Sequence, residues 1–241
     1  MISQLSLAAE PRDLCLDFEH TALVLVDLQG AFLNSDPEQM TFANSHLGFD
    51  PSKGGVEHAV GILPILQNLT AVCRQAQMKI VHLAEQYSDW EEIPWKWQQG
   101  VIGEPDTQTV IHLRRDSDEA ALSWIPPLPG ELVVPKNGKN GFKMLDLVDG
   151  QPISRLTYLL RHQLGVHHLL FTGVATSVCV GSTAMSATEY GFDSILVADA
   201  CGDFFPHRHH ATLEMFGAGR VQKMDLYGSV TTSQAIIKAL G

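Results

Sequence analysis

The chain lacks several features, and each absence closes off a class of protein. Its 241 residues include only four cysteines, Cys15, Cys73, Cys179 and Cys201, scattered with no CxxC pair. Neither a disulfide framework nor a thiolate zinc site is expected, and a reducing, cytoplasmic compartment is. Basic residues are scarce: 16 Lys and Arg stand against 27 Asp and Glu, a formal net charge of −11. That balance argues against a nucleic-acid or anionic-membrane partner, although eleven histidines offset part of it at low pH. No apolar run approaches the ~20 residues of a membrane span. The first twenty residues carry Glu10, Asp13, Asp17 and Glu19 and lack the basic start and apolar block of a signal peptide. There is no repeat and no low-complexity tract. At 45% hydrophobic and 18% charged, the composition is that of an ordinary globular protein.

What is present alternates between two periodicities. Residues 21–26 form an apolar run without polar alternation, the pattern of a strand covered on both faces. Residues 79–83, 131–134, 167–171 and 194–198 read as further strands, and a short one is expected at 221–224. Between them lie helical patterns. Val56, Val60, Leu63, Leu66 and Cys73 fall near helical spacing, with Pro64 kinking or starting the helix close to Ile62. Leu156, Leu159, Leu160 and Leu164 make a second helix stopped by Gly165. A third begins around Cys179 and a fourth spans about 206–216. Such alternation implies right-handed crossovers and a parallel sheet, an α/β fold in a single domain over 1–241 with 1–20 as an irregular N-terminal arm. Residues 30–55 read as loop. Residues 84–123 form a polar stretch of forty residues carrying Trp90, Trp95 and Trp97. A structureless connection that long serves as a cover over a site or as a docking surface.

Three reactive groups each come just after the end of a predicted strand: Asp27, Lys136 and Cys179. Parallel strands place those ends on one edge of the sheet, where α/β proteins bind ligands. A cysteine in the first turn of a helix is favoured as thiolate by the unpaired N–H groups and the dipole. A carboxylate beside it can take the thiol proton and pass it to a leaving amine, and a nearby ammonium favours both anions. A buried cysteine packing as a small hydrophobe, and a solvated strand-end Asp, are the alternatives.

The residues Leu25-Val26-Asp27-Leu28-Gln29, Pro135-Lys136 with Asn140-Gly141-Phe142, and Gly173-Val174-Ala175-Thr176-Ser177-Val178-Cys179-Val180, in this order, resemble the isochorismatase-like cysteine hydrolases. That superfamily includes nicotinamidases, N-carbamoylsarcosine amidases, ureidoacrylate amidohydrolases and biuret hydrolases, and the likeness covers residues 21 to about 233. It implies a Rossmann-like, three-layer α/β/α fold with a six-stranded parallel sheet. It implies Asp27 as general base and acid, Lys136 as charge partner and Cys179 as nucleophile. It also implies a cis peptide between Val174 and Ala175, with the N–H groups of Ala175 and Cys179 forming an oxyanion hole. A homodimer or homotetramer is implied as well.

Departures from the family narrow the expectation. Nicotinamidases have an Asp-x-His-type metal site after the second strand, whereas this chain reads His82-Leu83-Ala84-Glu85-Gln86-Tyr87. The spacing of His207, His209 and His210 fits no zinc motif, so a solvated or interfacial helix is expected there, with no metal and no cofactor. The segment Ile102-Gly103-Glu104-Pro105 and the ending Tyr227 to Ser233 resemble the branch acting on ureido and carbamoyl compounds. Gln29, Asn140, Phe142 and Tyr227 are candidates for the substrate pocket wall. Lys139 and Arg115 are candidates to meet a substrate carboxylate, a solvated surface charge being the alternative for each. The expected activity is amide, ureido or carbamoyl C–N hydrolysis through a thioester acyl-enzyme. An enol-ether hydrolase of the isochorismate type, and a non-catalytic redox or ligand-binding protein on the same scaffold, are the alternatives.

Overall fold

A computed structural model describes residues 2–33, 56–220 and 226–241. Its body is a seven-stranded sheet. In chain order the strands are β1 (Ala9–Glu10), β2 (Thr21–Val26), β3 (Lys79–Glu85), β4 (Leu132–Lys136), β5 (His168–Val174), β6 (Asp193–Gly202) and β7 (Ser229–Thr231). Across the sheet they run β1-β7-β6-β5-β2-β3-β4. Strands β2 to β7 pair in parallel and only the two-residue β1 is antiparallel. Six parallel strands are therefore present, the number the resemblance implies, with a short edge strand added by the N-terminal arm. That arm is not irregular: Gln4–Leu7 and Leu14–Asp17 pair as a hairpin and seat Leu5, Leu7 and Leu16 in the core. The strand expected at 221–224 falls outside the described residues, as does most of the loop expected at 30–55. The sixth parallel strand is β7, further along the chain.

Both faces of the sheet are covered, which is why its strands read as unbroken apolar runs. Leu23 and Leu25 of β2 join one buried cluster with Leu66 and Leu69 of helix α1 (Leu63–Gln75). Ala22, Val24 and Val26 join the other, with Ala184 and Ala187 of helix α2 (Gly181–Glu189). Pro64 stands in the first turn of α1, where its missing N–H costs nothing, and the separate short helix Glu57–Gly61 precedes it. The pattern ending at Gly165 is a single α-turn over Arg155–Tyr158 that widens to a π-turn at Leu159–Gln163. Helix α3 spans Pro206–Met215. A last helix, α4 (Ser233–Leu240), has no counterpart among the helical patterns expected from the sequence. Its cap explains it: the Thr232 hydroxyl accepts from Ala235 N–H, and Asp199 accepts from both the amide and hydroxyl of Ser233. No helix among the described residues is long and apolar enough to cross a membrane.

The order of the strands positions the site. From β2 the chain moves outward to β3 and β4, then returns on the other side of β2 as β5. Adjacent parallel strands whose connections leave in opposite directions leave a crevice beyond their carboxyl ends. Here the crevice lies between Asp27, just past β2, and the turn after Val174 at the end of β5. Gly173 makes the close approach possible. It pairs with Val26 at φ +102°, and a Cβ there would stand 2.1 Å from the Val26 carbonyl oxygen. A Gly173→Ala substitution is expected to destabilise the protein by about 3 kcal/mol or more, lowering Tm by roughly 10 °C. Thermal unfolding followed by circular dichroism checks this, and an unchanged Tm contradicts it.

Candidate active site

Four strands deliver one charged or reactive group each to the crevice. Asp27 comes just after β2 in a left-handed backbone conformation, φ 51°, and its amide donates to the Leu83 carbonyl of β3. Lys136 ends β4, directly across from Glu85 at the end of β3. With strands ~4.8 Å apart, a lysine side chain from β4 is long enough to cross β3 and reach β2. Its ammonium donates to Asp27 Oδ2 at 2.8 Å and to the Gly138 carbonyl at 2.9 Å, and lies 3.6 Å from Glu85 Oε2. Cys179 sits in the π-turn Thr176–Val180 after β5, its Sγ 3.9 Å from Glu85 Oε2. Donor atoms of Asp27, Glu85 and Cys179 all lie within 4.8 Å of one another. The three expected residues thus converge, and all are buried. The Val174–Ala175 peptide is cis, at the position that the resemblance implied.

Glu85 is absent from the residues expected at the site, although the signal that marks Asp27 applies to it equally: an acidic residue ending a buried parallel strand. Its carboxylate is surrounded by donors. Lys139 Nζ contacts both oxygens at 2.8 and 2.9 Å, and the Tyr87 hydroxyl donates to Oε1 at 2.8 Å. Burial alone raises a carboxyl pKa, but Lys139, Lys136 and these hydrogen bonds outweigh it and hold Glu85 down at about 2. Asp27 moves the other way. Burial, the largest influence, and the Glu85 charge together overcome Lys136, so its pKa is raised. Burial pulls the Lys136 ammonium down, but the Asp27 and Glu85 charges and the hydrogen bond to Asp27 outweigh it and raise its pKa above the usual lysine range.

The protonation of Cys179 differs from the expectation. Burial, and then the Asp27 and Glu85 charges, push its thiol well above the ordinary value, and the two lysines only partly counter them. These influences favour the thiol form of the resting sulfur. A helix terminus cannot outweigh full desolvation beside two carboxylates.

The crevice opens into a cavity of about 160 Å³, lined among others by Asp27, Cys179, Ala175, Trp97, Lys139 and Arg208. That lies below the ~300–1,000 Å³ of sites for drug-sized ligands and suits a small molecule. The 84–123 segment is not structureless. It contains 3₁₀ turns at Trp90–Glu92 and Trp95–Trp97 and a small hairpin of Gly103–Glu104 with Thr109–Val110, and it is pinned by buried Tyr87, Ile93, Ile102 and Leu113. Its indoles divide: Trp97 lines the cavity with the Lys139 ammonium 4.7 Å from its ring centre, Trp90 packs on the core, and Trp95 is exposed.

Of the four expected wall residues, none lines this cavity among the described residues. Gln29 is buried behind it, its amide engaged with the Glu85 backbone and the Ala120 carbonyl. Asn140 and Phe142 line a neighbouring groove, where Asn140 bonds Ser186 and Phe142 stacks on Tyr190. Tyr227 packs against Phe216, and its carbonyl accepts from Thr188. Lys139 does reach the cavity, whereas Arg115 is absent from its lining and lies 3.9 Å from Glu92. His82 pairs with Glu131 at 2.8 Å, away from Cys179. The expected solvated helix holds for His207 and His210, which are exposed, but not for His209. His209 is buried, bonded to the Thr176 hydroxyl at 2.9 Å and edge-on to His58, and burial with those neighbouring imidazoles lowers its pKa to about 4. Next to it, Asp203 Oδ2 accepts from the Ser177 N–H at 2.7 Å. Both contacts secure the turn that carries Cys179.

The chain is similar to known proteins in sequence and in fold. The isochorismatase domain model matches residues 21–225. The ureidoacrylate amidohydrolase RutB of Variovorax paradoxus (strain S110) is 28% identical over 240 residues, covering 93% of this chain and 81% of its own. Its namesake from Pantoea ananatis (strain LMG 20103) is 27% identical over 207 residues, covering 80% of this chain and 74% of its own. Two solved structures share the fold. A cysteine hydrolase from Pseudomonas syringae pv. phaseolicola 1448A superposes with TM-score 0.68 at 17% identity, over 93% of this chain and 94% of that one. The N-carbamoylsarcosine amidase from Thermoplasma acidophilum superposes with TM-score 0.59 at 20% identity, over 88% and 96%. The chain therefore belongs to the isochorismatase family and is an isochorismatase-like hydrolase.

Proposed function

We propose that the protein is a cysteine-dependent amidohydrolase that cleaves a C–N bond of a small ureido or carbamoyl compound through a thioester acyl-enzyme. The observation that carries this reading is the meeting of the Cys179 thiol, the Asp27 carboxylate and the Lys136 ammonium, with Cys179 and Asp27 lining one cavity and Lys136 buried behind Asp27. The similarity to ureidoacrylate amidohydrolases supports the substrate class.

The electrostatics suggest the order of events. With Asp27 and Glu85 ionised and Lys136 and Lys139 charged, the cluster is neutral while Cys179 keeps its proton. Losing that proton to solvent would leave a net buried negative charge. Passing it to Asp27 leaves the total unchanged, and the raised pKa of Asp27 narrows the gap between donor and acceptor. Sulfur then attacks the substrate carbonyl, and the tetrahedral oxyanion is met by the N–H groups of Ala175 and Cys179. The proton on Asp27 goes to the departing nitrogen as the C–N bond breaks. Asp27, again a carboxylate, takes a proton from water, whose oxygen attacks the thioester. The thiolate leaves and recovers its proton from Asp27. A plain thiol sensor has no use for this pairing, and a buried, protonated sulfur suits one poorly.

Cys179→Ala is expected to reduce ammonia release from ureidoacrylate or an N-carbamoyl amino acid to background while circular dichroism shows an unchanged fold. Mass spectrometry of the wild type should find the acyl adduct on Cys179 alone. Full turnover by Cys179→Ala, or activity on isochorismate in preference to every urea and amide assayed, would reject the reading. Asp27→Asn should lower kcat/KM by roughly a hundred- to ten-thousandfold. The pH profile carries a sign. The base must be ionised, so kcat/KM rises with pH on its acid side, with a midpoint above the ordinary carboxylate value of 3.8. Lys136 lowers the Asp27 pKa, so Lys136→Met should move that limb to higher pH. A midpoint at or below the ordinary value contradicts the assignment.

A further inference from the structure

Glu85 takes no part in the proton transfer between Cys179 and Asp27, yet its Oε2 lies 3.9 Å from the Cys179 sulfur. It is fully buried, and the groups around it come from different parts of the fold. From β2, Asp27 Oδ1 accepts from the Glu85 amide at 3.1 Å. From β4, the Lys136 ammonium stands between the carboxylates, 3.6 Å from Glu85 Oε2 and 2.8 Å from Asp27 Oδ2. Lys139, in the turn after β4, holds both Glu85 oxygens, and the Tyr87 hydroxyl donates to one of them. Lys143, outside this cluster, also feels the Glu85 charge while donating to the Asn137 carbonyl.

Among the described residues, two carboxylates face two ammonium ions here, so the cluster is neutral only while Cys179 is a thiol. Without the Glu85 charge the count reverses: two ammonium ions and one carboxylate are neutral only beside a thiolate. A site removed from water favours the protonation state that leaves no unpaired charge. A carboxylate outside the reacting bonds thereby selects the form in which the nucleophile rests. The choice matters for C–N cleavage, because a departing nitrogen needs a proton and a thiolate carries none.

We infer that Glu85 is a positioning residue that keeps on the Cys179 sulfur the proton later given to the leaving nitrogen. The proton moves from sulfur to Asp27 as the C–S bond forms, and from Asp27 to nitrogen as the C–N bond breaks. Acylation then needs no other proton, and the charge of the cluster is the same at the start and in the acyl-enzyme. With a pKa held at about 2, Glu85 stays ionised throughout. Delivery to nitrogen rests on the proposed C–N hydrolysis, whereas the resting state of the sulfur does not.

Three variants separate charge from shape, each titrated for thiolate ultraviolet absorbance against the same variant carrying Cys179→Ser. Glu85→Gln keeps the shape and loses the charge, so thiolate should appear about 1–3 pH units below the wild-type onset. Glu85→Asp keeps the charge and should stay close to the wild type. Lys139→Met removes a cation and should move the onset the opposite way, to higher pH. Its side chain is a quarter exposed, so this arm remains readable even where Glu85→Gln fails to fold. Turnover of ureidoacrylate is compared with acylation by p-nitrophenyl acetate, whose p-nitrophenolate departs without a proton. Glu85→Gln should keep acylation by the ester and lose about a hundredfold or more of its ureidoacrylate turnover relative to it. A purely structural role would depress both together. An onset in Glu85→Gln at or above the wild type, an onset in Lys139→Met below it, or equal losses on ester and urea would each overturn the inference. Shifted onsets without C–N cleavage of any urea or amide by the wild type would leave the hold of Glu85 on the thiol proton standing and remove the amidohydrolase reading.

Discussion

An ammonium ion buried out of reach of water holds this site together. Lys136 extends from β4 across the end of β3 to a carboxylate on β2, and it stands between Asp27 and Glu85, two like charges that would otherwise repel within the cluster. An unpaired buried charge costs several kcal/mol, and removing one partner of a buried pair typically destabilises by about 3–5 kcal/mol. Each member of this cluster therefore requires the others. The sheet order matters for the same reason. Only with β3 between β2 and β4, and β5 returning on the far side of β2, do Asp27, Glu85, Lys136 and the Cys179 turn meet.

Around this cluster the fold supplies rigidity rather than chemistry. The turn carrying Cys179 is bound on its outer side by His209 at Thr176 and by Asp203 at the Ser177 amide. Glu85 is fixed from three directions, by Lys139, Tyr87 and its own amide, which donates to Asp27 and Gln29. Gln29, although it lies outside the cavity, links β2 to β3 at the edge where the charges sit. A site built this way reaches its working geometry through folding, before any ligand enters.

The parts legible in the sequence share one trait: they lie on or immediately beside a continuous apolar strand. Asp27, Lys136 and Cys179 are legible because buried parallel strands announce themselves locally, and the residues just past their carboxyl ends share one edge of the sheet. Glu85 carries the same signal, in a segment that stands out in the sequence only for lacking a metal motif. The expected wall residues Gln29, Asn140, Phe142 and Tyr227 fall elsewhere because which way a loop side chain turns depends on neighbours distant in sequence: Glu85 for Gln29, Ser186 for Asn140. The burial of His209 is hidden for the same reason, since His58 and Thr176 come from elements far away along the chain. Likewise, the raised pKa of Cys179 comes from its burial first and then from the carboxylates on β2 and β3, which no reading of the Cys179 turn alone contains.

The claim on which the account turns is that the resting nucleophile keeps its proton until Asp27 takes it. Titrating thiolate ultraviolet absorbance in the wild type and in Cys179→Ser, and taking the difference, isolates this one sulfur from Cys15, Cys73 and Cys201. The account predicts no thiolate signal from Cys179 at neutral pH, with absorbance appearing only above the ordinary cysteine range. A full thiolate signal from Cys179 at neutral pH would contradict it.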